Sequence, residues 1–417
     1  MLSISSNLFF KLSTYRNDNF KMKIAFLTAG GIAPCLSASI GALIKQYNVL
    51  DPNAKMIGYL NGYKGLLLGN SISFTDQVKK NYQVLYDFGG SPIGNSRVKL
   101  TNIIDCIERG YVEKTKEPLK VAAEQLKKDR VDILHTIGGD DTNTMAAQLS
   151  SYLNENDYDL TVVGLPKTVD NDIFPVTQTL GAWTAAEQGA IFFENIVNEN
   201  TTSSRQLIIH EVMGRDCGWL TAKTGQIYRE RLKKRQFLPE IFIDRDRWDV
   251  DAIYLPEQAL DFNSEIIRLK KIMDDKDCVN IFLSEGAGQD AIIKEIEKNE
   301  GKILRDAFGH IRLDEINPGK WFAKQFSKAL HAEKTLVQKS GYFARSGKAN
   351  RQDLDLIKKS AYFAAKQAIE KKSGLAGLDD DNDSRLRLIE FERIKGGKPF
   401  DIDVGWYQTM LQEINQI

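Results

Sequence analysis

The sequence predicts an α/β protein of two Rossmann-like lobes with mostly parallel sheets, and three observations predict it. Short apolar runs of strand character alternate with helical runs along most of the chain, the signature of βαβ units. The 417 residues exceed what one core organises, because single hydrophobic cores stop growing at about 250 to 300 residues. Two acidic loops, Gly138-Gly139-Asp140-Asp141-Thr142-Asn143-Thr144 and Pro166-Lys167-Thr168-Val169-Asp170-Asn171-Asp172, each follow such an apolar run. Open α/β sheets bind ligands at the carboxyl edge of their strands, so both loops are expected to line one crevice.

Residues 1–22 are rich in Ser and Asn and poor in acids, with Met22 just ahead of the first apolar run. That composition suits a transit peptide, yet the segment is short and weakly basic; an N-terminal extension is the favoured reading. The first strand is expected at 23–28, followed by a helix at 37–48 and a second strand at 55–59. A helix at 119–128 and a strand at 131–137 come next, then a helix at 142–153 and a strand at 161–165. A helix over 181–197 opens a second α/β set. It comprises a strand at 206–212, a helix at 217–224, a strand at 252–255, a helix at 256–273 and a strand at 279–283. The charged stretch near 289–325 reads as polar surface helices, and 353–370 as an amphipathic helix. The run Asp379-Asp380-Asp381-Asn382-Asp383 reads as a solvated acidic turn, since it lacks the glycine and glutamate of an EF-hand.

Composition excludes several classes. Fifty-six basic against 56 acidic residues give zero formal charge, which argues against a nucleic-acid or anionic-membrane partner. No apolar run approaches the ~20 residues needed to span a bilayer. The four cysteines show no disulfide or metal-ligand spacing and fit a reducing cytoplasm, with Cys35, in a Gly-rich loop, the candidate for exposure. The four histidines also lack ligand spacing, and His135 and His210 fall in strand runs as core or supporting residues.

Carboxylates and a lysine at consecutive strand ends suit phosphoryl transfer, in which one acid holds a metal ion against phosphate oxygens and another accepts a proton. Asp140 is the candidate Mg²⁺ ligand, because this hard cation takes one or two carboxylates from a protein and its remaining ligands from phosphate and water. Gly30-Gly31, between a strand and a helix, would bring backbone N–H groups close to a phosphate, although such a pair is more often only a turn. Asp-Asp at a helix start is equally an N-cap with a solvated neighbour, and Asp-Asn-Asp equally an Asx turn.

The order of motifs removes much of that ambiguity. Gly30-Gly31-Ile32-Ala33-Pro34, Gly89-Gly90-Ser91-Pro92-Ile93-Gly94-Asn95-Ser96-Arg97, the two acidic loops, Glu211-Val212-Met213-Gly214-Arg215, Ser284-Glu285-Gly286 and Gly341-Tyr342-Phe343-Ala344-Arg345-Ser346 follow one another. In that order they resemble the phosphofructokinase family over about 23–408, and Asp141 with Lys167, where ATP-dependent members usually have glycine, resemble its pyrophosphate-dependent branch. The resemblance implies a phosphofructokinase-type fold. It implies a phosphoryl-donor lobe of 23–181 completed by 346–417, and a sugar-phosphate lobe of 182–345 that includes the charged insertion. It also implies reversible, Mg²⁺-dependent transfer from pyrophosphate to the C1 hydroxyl of fructose 6-phosphate, in a homo-oligomer, dimer or tetramer.

By the same resemblance Asp170 is the general base, Thr168 and Asp172 support it, and Lys167 offsets the Asp141 carboxylate while neutralising pyrophosphate. Gly30, Gly31 and Arg97 face the donor. Met213, Gly214, Arg215, Glu285, Tyr342 and Arg345 hold the sugar, with Lys339 and Lys334 adding charge for the 6-phosphate. Ile32, Cys35 and Ser37 depart from the family's first loop. An arginine that family members lend to a neighbouring subunit falls at Gln206 by direct count, with Arg205 one residue earlier. The rivals are an ATP-dependent 6-phosphofructokinase, a non-catalytic sugar-phosphate-binding regulatory subunit and, further off, a dinucleotide-binding dehydrogenase, which the missing G-x-G-x-x-G disfavours.

Overall fold

A computed structural model describes residues 21–298 and 317–417, so 1–20 of the expected extension and the middle of the charged stretch lie outside the described residues. Its strands are β1 (Lys23–Thr28), β2 (Lys55–Tyr59), β3 (Ser71–Ser73), β4 (Ile133–Gly138), β5 (Thr161–Pro166), β6 (Gln206–Val212), β7 (Ala252–Tyr254), β8 (Cys278–Ser284), β9 (Lys334–Lys339), β10 (Gly374–Asp379) and β11 (Arg385–Ile389). Seven form one sheet in the order β11-β10-β5-β4-β1-β2-β3, and four form a second, β7-β8-β6-β9. The second sheet is parallel throughout, and the first is parallel except at its edges, where β3 and β11 run antiparallel to their neighbours. Strands β4, β5, β6 and β8 are buried along their whole length, as expected of parallel strands covered on both faces by helices.

Register places the functional loops. Gly138 pairs with Pro166, Val212 with Ser284 and Glu211 with Lys339, so within each sheet the loops leave from one level. The helices that follow are pinned at their starts. Asp353, fully buried, accepts the Gly181 and Thr184 N–H groups at 3.0 and 2.7 Å and the Thr184 hydroxyl at 2.5 Å, capping the helix Ala182–Ile196 from a distant part of the chain.

Several expectations are corrected here. Helix Pro318–Ala329 is not a polar surface helix: Phe322 and Phe326 are fully buried against Tyr254 and Phe262. The run at 379–383 is not simply solvated, because Asp379 is buried in the β10–β11 hairpin and both its oxygens accept from Arg393, at 2.8 and 2.9 Å. The helix placed at 217–224 extends over Trp219–Leu232, and the one placed at 256–273 begins only at Phe262, where Asp261 caps it. Cys35 is buried, like the other three cysteines.

The chain end links the two sheets. After β11 the stretch 394–398 lies against the loop following β5, while the last helix, Gly405–Glu413, packs beside the second sheet. There Arg229 binds Glu413 at 2.6 Å, and the Gln416 amide pairs with both the N–H and the carbonyl of Ile253 at 2.9 Å.

Candidate functional site

The carboxyl edges of the two sheets face each other, and Arg345 spans the gap. Its Nε donates to the Ile32 carbonyl of the first lobe at 2.7 Å, and another guanidinium nitrogen lies 3.7 Å from the Met213 sulfur of the second. Gly31 permits this approach: a Cβ there would lie 1.9 Å from the guanidinium. Burial lowers the Arg345 pKa; the Asp170 carboxylate raises it, and nearby Arg97, itself exposed, lowers it. Lys167 is buried beneath the same loop and donates to the Gly31 carbonyl at 2.9 Å. Burial first, and then the Arg345 charge, bring its ammonium down to about 8, against the pull of Cys35, Asp170 and Asp172.

Asp170 lies in the same enclosure. Burial, and after it the carboxylates of Asp172 and Glu285, push it up to about 7, while Arg345 and Lys167 pull it down. Its backbone N–H donates to the Thr168 hydroxyl at 3.1 Å, and its Oδ1 has no hydrogen-bond partner among the described residues. Burial also raises Asp172; a hydrogen bond from Thr168 opposes the rise, and the charge of Asp140 adds to it. Such an enclosure can hold a proton acceptor of near-neutral pKa beside two cations, which is what proton abstraction coupled to transfer of an anionic group requires.

Asp140 opens the helix Asp140–Glu155, and its carboxylate enters no ion pair among the described residues. No group of three or more His, Cys, Asp or Glu among the described residues could hold a metal by itself. One free carboxylate with Asp172 nearby fits Mg²⁺, which would draw its remaining ligands from phosphate and water.

One sequence-based pairing is corrected. Asp141 does not meet Lys167; it forms an ion pair with Lys99 at 2.5 Å and remains half exposed, whereas Lys167 faces Gly31, Asp170 and Asp172. Lys99 went unnoticed, although it lies two residues beyond Arg97 and so on the same side of an extended run.

The sugar-side residues assemble around Glu285. Burial raises its pKa; the Gly214 N–H, which donates to it at 3.3 Å, and the charges of Arg215 and Arg345 act against that, while Glu211 adds to it. Lys339 holds Glu211 at 2.7 Å, at the carboxyl end of β9. Tyr342 is 75% exposed, in the same short helix, Gly341–Ser346, as Arg345. Lys334 is not part of this group: it begins β9, at the far end from Lys339, and pairs with Glu199. Arg205 is held by Asp274 at 2.9 Å and by the Leu330 and His331 carbonyls, and Gln206 is fully buried. His135, bonded to Tyr47 at 2.6 Å, and His210, packed among Phe192, Phe193 and Phe282, are core residues lowered by burial to about 4 and 3.

The sequence reading also missed Gly396. It lies so close to Asp140 that a Cβ would be 2.3 Å from the carboxylate, and its only local signal was a Gly-Gly pair between lysines.

Comparison with known proteins shows the family. The chain is 57% identical to the pyrophosphate–fructose 6-phosphate 1-phosphotransferase of Methylotuvimicrobium alcaliphilum, over 95% of this chain and 97% of the relative. It is 58% identical, with the same coverage, to the enzyme of that name from Methylomonas methanica. The fold is similar to the crystal structure of a pyrophosphate-dependent phosphofructokinase from Marinobacter aquaeolei, with a TM-score of 0.67 at 19% identity over 94% of this chain and 91% of that one. The family description Phosphofructokinase matches residues 23–368, and with relatives this similar along nearly the whole chain, the protein belongs to the phosphofructokinase family.

Proposed function

We infer that the protein is a pyrophosphate-dependent phosphofructokinase, which transfers a phosphoryl group reversibly from pyrophosphate to the C1 hydroxyl of fructose 6-phosphate, giving fructose 1,6-bisphosphate and phosphate. The observation that carries the reading is the buried Asp170, held near pH 7 beside Lys167 and Arg345 at the meeting of the two sheet edges. Asp170 takes the proton of the C1 hydroxyl as that oxygen bonds to the transferring phosphorus and the bridging oxygen of pyrophosphate departs with the second phosphate. Thr168 and Asp172 hold the base and the hydroxyl in line. Lys167 and Arg97 neutralise the phosphoryl oxygens, with Gly30 and Gly31 beneath them. Glu285, Met213, Gly214, Arg215 and Tyr342 take the sugar, and Arg345 with Lys339 takes its 6-phosphate.

Mg²⁺ is proposed as the metal, held by Asp140, where it would neutralise charge on the phosphate oxygens. Asp141, fixed by Lys99, places a side chain and a charge where ATP-dependent relatives have glycine, which favours pyrophosphate over ATP. A dimer or tetramer is proposed from the family resemblance, with Arg205 engaged within its own chain. Among the described residues no helix is long and apolar enough to cross a membrane, and a cytoplasmic location is part of the proposal.

The test is a coupled assay with fructose 6-phosphate and Mg²⁺, run with pyrophosphate and with ATP. Turnover with pyrophosphate that stops on chelation is expected; turnover with ATP equal to or above it would overturn the donor assignment.

A further inference from the structure

The chain segment after β11 lies against the donor side of the site. Lys395 pairs antiparallel with Phe174, its N–H donating to the Phe174 carbonyl at 3.1 Å and its carbonyl accepting the Phe174 N–H at 2.8 Å. Three residues on, the Lys398 N–H donates to the Asp172 carbonyl at 2.9 Å, and its ammonium reaches the Val176 carbonyl at 3.0 Å and the Asp380 carboxylate. Both ends of the Gly396–Gly397 turn are thus fastened to 172–176, continuous with the loop that carries Asp170. Between those anchors the turn rests on Asp140, close enough that only glycine fits at 396.

Its N–H groups are unpaired among the described residues. Neither the Gly396 nor the Gly397 N–H has an acceptor among the described residues, and both glycines are exposed. Gly397 has φ +75°, in the left-handed region, and nothing within 4 Å of where its Cβ would stand. Successive free N–H groups around a left-handed residue are the form in which backbone turns bind anions. Here that turn borders the candidate metal ligand, and Lys395 beside it is exposed.

We propose that Gly396 and Gly397 form a second wall of the donor site and donate their main-chain N–H groups to phosphate oxygens of pyrophosphate held at Asp140. This rests on the pyrophosphate reading of the site. The wall is contributed by the C-terminal part of the chain and faces the Gly30–Gly31 loop in function: two backbone cradles serve the two ends of one small, highly charged donor that lacks a nucleoside to anchor it.

The test uses the full chain and imidodiphosphate, a donor analogue with a non-transferable bridge. In the wild-type protein, Mg²⁺ with imidodiphosphate and no sugar is expected to slow amide hydrogen exchange at 394–398 several-fold, and fructose 6-phosphate alone is expected not to. Gly397→Ala, which meets no clash but disfavours the left-handed backbone, is expected to raise the Kd for Mg²⁺–imidodiphosphate and the KM for pyrophosphate about tenfold, with the KM for fructose 6-phosphate within twofold. Inorganic phosphate, tested alongside, is expected to protect the segment more weakly. Unchanged exchange at 394–398 in a wild-type protein that does turn over pyrophosphate would overturn this proposal alone, and so would a Gly397→Ala protein that weakens both substrates equally. Absence of pyrophosphate turnover in the wild type would instead remove the functional reading beneath it. The exchange measurement decides the matter even if the variant fails to fold.

Discussion

Asp170 and Lys167 set opposite limits on the working pH. The base must be ionised to accept the hydroxyl proton, and with its pKa raised to about 7 it is lost as pH falls through that value. The Lys167 charge, lowered to about 8, is lost as pH rises through that value. A bell-shaped kcat/KM profile with limbs near those values is expected from initial rates with pyrophosphate, and a flat profile from pH 5 to 8 would refute the assignment of the base. Asp170→Asn keeps the shape of the side chain but cannot take the proton, so kcat should fall about 10²-fold or more in both directions while KM values hold. If Asp172→Asn abolished turnover and Asp170→Asn did not, the base would be Asp172. Lys339→Ala should raise the KM for fructose 6-phosphate alone, whereas Arg345→Ala, which also removes the contact to Ile32, should raise both KM values. Local spacing made the acidic loops legible. It could not reveal that Asp141 pairs with Lys99, because that ion pair joins segments some forty residues apart and only the fold brings them together.

At the level of elements, the runs that read clearly were those buried on both faces. Strands β1, β2, β5, β6 and β8 stand within a residue of their expected places, since continuous apolar sequence leaves a parallel strand little freedom. Strand β10, Gly-Leu-Ala-Gly-Leu-Asp, was illegible because two glycines deprive it of strand propensity; it is held by its neighbours β5 and β11. Helix Pro318–Ala329 was misread through its lysines. Lys320, Lys324 and Lys328 repeat every four residues on one face, and Phe322 and Phe326 repeat likewise on the other, which is an amphipathic core helix. Phe322→Ala should therefore cost about 3–5 kcal/mol in chemical denaturation, where a surface position would cost almost nothing.

Across the whole molecule, β1 begins at Lys23, so a chain shortened to start at Met22 is expected to keep its activity; lost folding or turnover would show that 1–21 contribute. The two-lobe plan was legible from length and alternation, but the path of the chain end was not, because its contacts lie far apart in sequence. That path bears on how the protein is made. Strand β5 has β4 on one side from the start, yet its other neighbour, β10, follows it by roughly 200 residues, which at about 5–20 residues per second is on the order of 10 to 40 seconds of synthesis. Throughout that interval β5 is an unpaired edge of the nascent first sheet, the kind of edge that recruits foreign strands. A ribosome-bound chain halted before Gly374 should accordingly be protease-sensitive at β5 and a good client for chaperones, and release of the remaining residues should close the sheet and end both behaviours.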